Sequence, residues 1–289
     1  MQVLNKLPAA LCACAMLSGC AATPQDGRLS LNLPPEMTAV YSEVDMQLML
    51  VTRADAPSRC TEPACSMWDD VDQRVARIGP DLAKAAYRLY PDIASRVRNF
   101  EFVVADKSEP GTVSASSGRI MVLRPVGSLA PNDAAFAFIL AREVGHVVAN
   151  HHEENVSATL IVSALVHLIA PVANLPQLFG NLFLANAATG GASASIAANA
   201  AMTATSFLGS RVLLTTYKPR QRDEADLIAV SLLAQLGYDV PAVTAAFASV
   251  NLNSPETEWT VGLRASVAQL SAPAPAIRNV VLDSTASVP

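Results

Sequence analysis

Charge is scarce in this chain. Asp, Glu, Lys and Arg make up 16% of its 289 residues, and no stretch gathers Lys and Arg into a cluster. With a net charge of −5, the chain lacks the basic surface that nucleic acids require, and nucleic-acid binding is excluded as its role. Aromatic residues are equally sparse at 5%, although 51% of the chain is apolar, so much of that content is Ala, Val and Leu. Such a composition argues against disorder and for a helix-rich protein with small side chains. The apolar run Val156–Ala170 ends at Pro171. As a helix it reaches about 22 Å, short of the roughly 30 Å of a bilayer core, so it does not read as a span.

Cysteine is also rare, and the position of each one matters. Residues 1–19 read as an export signal: Lys6 is the only charge, Leu7–Leu17 is apolar, and Leu17-Ser18-Gly19-Cys20 resembles a bacterial lipobox. Cys12 and Cys14 would leave with the signal and Cys20 would carry the lipid. The mature side chains then total 19 basic and 25 acidic groups, or −6. No Asp follows Cys20, which favours sorting to the periplasmic face of an outer membrane. Cys60 and Cys65 remain, an even pair in an exported chain, and are expected to close a small disulfide loop.

The order of the chain gives an architecture. Residues 20–35 read as the lipidated Cys and its tether, and residues 36–282 as one domain followed by a tail at 283–289. Glu36–Arg53 reads as a helix. Met67–Ile78 reads as another, ended by Gly79-Pro80, with Pro80 opening a third. Phe100–Ala105 and Arg119–Leu123 have strand composition and are expected to form an edge hairpin or small sheet. Residues 156–215 read as an apolar helical hairpin, either core or laid against the bilayer. Gln221–Asp239 opens with Glu224 and Asp226 and closes at Gly237, a usual residue just past a helix end. Pro241–Val250 follows as a helix, and Ser254-Pro255 is expected to cap the next.

The chain is organised around Pro131–His152, PNDAAFAFILAREVGHVVANHH. Asn132 and Asp133 read as a helix start, and Arg142 and His146, four apart, share one face with Glu143 beside them. A zincin helix carries H-E-x-x-H, in which two imidazoles grip the metal and the Glu activates its water. Here the pattern is R-E-V-G-H. Together, FILAREVGHVVANHH and RDEADLIAVSLLAQLGYD resemble the HtpX- and BepA-like minigluzincin metallopeptidases, the group that includes the CAAX prenyl protease. The resemblance covers roughly residues 80–282. It implies an α+β, predominantly helical zincin-type fold, with Glu143 as catalytic base, His146 and Glu224 as zinc ligands, and Asp226 orienting an imidazole from behind. It also implies that an edge strand pairs with an extended polypeptide substrate.

Three departures stand against zinc. Arg142 holds the first ligand position, and a guanidinium offers no lone pair and repels a dication. Arg222 stands where the family commonly has an acid. Ala272 replaces a His of the closing segment, whose Arg278 is kept. His151 and His152 are not expected to substitute, because a helix continuing past Ala149 turns them to another face; His167 lies inside the apolar run. Arg142 is instead expected to bind Glu224 through its planar fork. These residues give a lipid-anchored envelope protein of metallopeptidase-like fold that binds envelope polypeptides. The alternatives are a working zinc endopeptidase in envelope protein quality control and a structural lipoprotein assembling through 156–215.

Overall fold

The computed structural model describes residues 20–22, 29–31, 33–56, 64–169, 218–252 and 256–271. The chain divides into two compact units, one of Met1–Thr38 with His152–Pro219, the other of Ala39–His151 with Arg220–Pro289. In the first, β1 (Cys20–Ala22) and β2 (Leu29–Leu31) pair antiparallel. The second holds the sheet and the helices that carry the site.

Its sheet has three strands, β3 (Glu101–Ala105), β4 (Gly111–Ser114) and β5 (Arg119–Leu123), in the order β3-β5-β4. β5 is central, parallel to β3 and antiparallel to β4. The expected hairpin of the first and last of these segments is therefore corrected. Val122 and its neighbours are apolar enough to be buried on both sides, and the short β4, GTVS, is the true antiparallel partner. Gly118, at φ +91, makes the tight return from β4 to β5.

Helices lie on both faces. On one, α1 (Pro35–Thr52) sets Met46 and Leu50 against Val103, Met121 and Leu123. Its opposite side leaves Val40, Val44, Leu48 and Val51 exposed. On the other face pack α2 (Ala64–Leu89) and α3 (Asp133–Val148), with α2 supplying Val71, Val75, Ile78 and Leu82. α2 is one helix, not two. Pro80 removes one hydrogen bond from its interior, but the row of buried apolar residues runs through the proline on both sides and holds the helix together. Gly79 is required where it is, since a Cβ there would lie 2.7 Å from the Phe102 ring.

α3 is buried on nearly every side, with Phe136, Phe138, Ile139 and Leu140 fully enclosed. Such all-round burial marks the central helix of a domain. After it come α4 (His151–Ile169), α5 (Lys218–Gln235), α6 (Val240–Ala248) and α7 (Glu258–Leu270). Gly237 at φ +78 ends α5, where the Tyr238 N–H donates to the Leu233 carbonyl. Thr257 caps α7 through a reciprocal pair of bonds with Thr260, in place of the expected Ser254-Pro255 cap.

Among the described residues no single helix is long and apolar enough to cross a membrane. α5 and α6 pass that test only as a pair bent by 114°, and Leu232, Leu233 and Phe247 bury them in the core. Cys65 is disulfide-bonded, while its expected partner Cys60 lies outside the described residues. The signal segment, 170–217 of the apolar hairpin, Ala272, Arg278 and the tail lie outside them too.

Candidate active site

The site is where α3 crosses α5. Asn132 starts α3 by accepting the Ala135 N–H at 2.9 Å. Three turns on, Gly145 meets α5 at Ala225, where a Cβ would lie 2.5 Å from the Ala225 carbonyl oxygen. Only glycine permits that approach. The contact sets Arg142 and His146 of α3 against Glu224 and Asp226, which flank Ala225.

Arg142 takes Asp226, not the expected Glu224. Its Nε donates to Asp226 Oδ1 at 2.7 Å, and the guanidinium lies 5.9 Å from the centre of the Phe138 ring. The side chains are 8% and 4% exposed, so the pair is a buried one. One turn of α5 begins at Glu224, and Asp226 lies two positions further round, on the side nearer the core. Asp226 Oδ2 has no hydrogen-bond partner among the described residues. Burial pushes the Asp226 carboxyl above its ordinary value of 3.8, against the pull of Arg142 and of the Ser266 hydroxyl. Desolvation outweighs the ion pair.

That direction fixes a pH dependence. A carboxyl with a raised value in the fold binds its proton more tightly there than in the unfolded chain. Its contribution to stability is full below the unfolded value and declines as pH climbs through the raised one. Denaturant unfolding between about pH 3.5 and 7 is expected to show the unmodified protein losing stability relative to Asp226→Asn as pH rises. A difference that stays constant across the window would count against this.

Glu143 is 8% exposed and both its oxygens are engaged. The Thr112 hydroxyl donates to Oε1 at 2.6 Å and the Ser114 hydroxyl to Oε2 at 2.9 Å. Trp259 of α7 donates in turn to the Thr112 oxygen at 2.8 Å. The expected base is thus tied to β4. The Ala115 N–H bonds the Arg119 carbonyl, so the alternation of an antiparallel ladder turns the backbone of Thr112 and Ser114 to the outer edge of β4.

His151 belongs to the site, contrary to expectation. α3 stops at Val148, and Asn150, at φ +61, breaks the helical path before α4 begins at His151. Asn is among the few residues that accept this conformation without glycine. Arg96 secures the bend, donating to Asn150 Oδ1 at 2.9 Å and to the Val148 carbonyl at 3.1 Å. His146 Nδ1 and His151 Nδ1 come to 2.8 Å, and His151 Nε2 lies 3.2 Å from Glu224 Oε2. The Asn following Ala149 was the signal in the sequence for this bend.

Does this donor set fit zinc? A tetrahedral site needs its lone pairs to converge on one point. His151 instead spends opposite ring nitrogens on His146 and Glu224, and Arg142 supplies a cation where a ligand is needed. Among the described residues no three His, Cys, Asp or Glu are arranged to hold a metal ion. The residues as they stand do not fit the metal.

The model of peptidase family M48 matches residues 72–275, most of the chain. The chain belongs to peptidase family M48. M48 peptidases are zinc-dependent, and the matched residues include the R-E-V-G-H of α3. The chain thus has a zinc-metallopeptidase-like fold of the HtpX- and BepA-like group. No curated protein matches the chain.

Proposed function

We propose that this M48 protein binds unfolded or extended envelope polypeptides without cleaving them, held at the membrane by a lipid on Cys20. The observation that carries the reading is the buried pair of Arg142 with Asp226, at the residue that the family resemblance sets as the first ligand position. Its removal from that pair exposes an unpaired carboxylate to the core, so the residue is built into the fold. The remaining candidates for zinc chemistry have other partners: Glu143 the two hydroxyls of β4, and His146 the ring of His151. In this reading an extended chain lies beside β4, the strand whose hydroxyls hold Glu143, and pairs through its backbone with little sequence preference. Leu17-Ser18-Gly19-Cys20 supports export and lipidation, and the absence of Asp after Cys20 supports the periplasmic face of the outer membrane as the destination. If zinc were bound, the reading would pass to a working endopeptidase of envelope quality control.

The test is elemental analysis of the purified chain beside Arg142→His, each followed by digestion of casein with Glu143→Gln as control. The expected results are no stoichiometric zinc and no digestion by the unmodified protein, with zinc gained by Arg142→His. One zinc per unmodified chain, with cleavage that Glu143→Gln abolishes, would overturn the proposal.

A further inference from the structure

The Arg142 guanidinium is only half used. Its Nε is committed to Asp226 and its Cζ lies over the Phe138 ring, but Nη1 and Nη2 have no hydrogen-bond partner among the described residues. Neither is among the fully enclosed polar atoms that lack a partner, a set that includes Arg53 Nη1 and Asp226 Oδ2. A side chain 92% buried therefore presents four charged N–H groups to the outside of the site. Donors of this kind, left unmade at a nearly dry position, are costly unless something accepts from them.

The surrounding charge selects the acceptor. Asp226 is already paired, and Glu143 and Glu224 stand beside it on the same two helices. Arg222 also acts on Asp226 but is itself paired with Asp223, so two guanidinium groups stand among four carboxylates, and a further carboxylate or a phosphate would meet net repulsion. A neutral acceptor meets none. The strongest neutral acceptor a protein ligand offers is the amide carbonyl. The strand that would lie alongside such a ligand is β4, whose Thr112 and Ser114 hydroxyls hold the neighbouring Glu143.

We infer that the free end of Arg142 is a carbonyl-binding site, taking one main-chain amide oxygen of a bound polypeptide. The site rests on the polypeptide-binding reading above and supplies its chemistry. A guanidinium, always protonated, anchors the carbonyl and activates no water, so binding is not followed by hydrolysis.

The experiment measures binding of fluorescein-labelled, reduced and alkylated α-lactalbumin to the full-length protein in detergent by fluorescence anisotropy. Two variants are compared with the unmodified chain. Arg142→Lys keeps the charge and loses the fork; the double variant Arg142→Met/Asp226→Leu removes the buried pair together and so preserves packing. Both are expected to bind about ten- to hundredfold more weakly, while sodium acetate at matched ionic strength leaves binding unchanged. Equal affinity in the unmodified chain and the folded double variant would overturn the site. Displacement by acetate would overturn the neutral acceptor, replacing it with an anion. No binding by the unmodified chain would overturn the polypeptide-binding reading itself, and the site with it.

Discussion

Arg142→Met is expected to destabilise the protein by about 3–5 kcal/mol at neutral pH, because it strands the Asp226 carboxylate in the core. The expected loss rests on a side chain 4% exposed, one of whose oxygens lacks a partner among the described residues. For a protein of this size the loss lowers the melting temperature on the order of 10 °C. The effect is a penalty of leaving one charge, not the worth of the pair. Removing both charges in Arg142→Met/Asp226→Leu should therefore recover most of it, and protonation at acid pH should soften the single variant's defect. Thermal melts of the single and double variants decide the matter; a single variant within about 2 °C of the parent would show that the pair is not what α3 and α5 depend on.

A second large effect is expected at Glu143. Thr112→Val with Ser114→Ala deletes both hydroxyls that donate to its carboxylate, at almost no change in volume for the first. Each lost bond to a buried group costs about 1–3 kcal/mol, so the double variant should lose about 2–6 kcal/mol by chemical denaturation. Trp259 Nε1 loses its acceptor in the same change. Adding Glu143→Leu should restore much of the stability, since an apolar residue needs no donor. A loss below about 1 kcal/mol in the double variant would mean that water takes over the hydroxyls' role and that β4 does not hold Glu143.

Much of this was legible in the sequence. The apolar run behind Asn132, the E-A-D opening of α5 and its Gly237 stop each carry a local cause, and α3 and α5 form where those causes lie. The failures share a different character. Pro80 read as a helix start because its local preference is strong, yet tertiary burial of Val75, Ile78 and Leu82 carries α2 through it. β4 went unseen because GTVS has too little apolar content to announce a strand, and its worth lies in two hydroxyls. The sequence points Arg142 at Glu224 whereas Asp226 takes it, since two carboxylates in one helical turn are distinguished only by the rotation of α5 against α3. On an unbroken helix His151 would face away from the site, and one left-handed Asn brings it in.

The bend at Asn150 also dictates where the chain tolerates changes in length. Turns joining two helices ordinarily accept an added or missing residue, because little depends on their span. Between His146 and His151 that freedom is gone. The 2.8 Å approach of the two rings is set by the number of residues in the turn, with Arg96 gripping it from outside. One residue more or less would swing His151 away from both His146 and Glu224, although every side chain of the site would still be present. The identity of the site is written in its residues, and its assembly in the count between them.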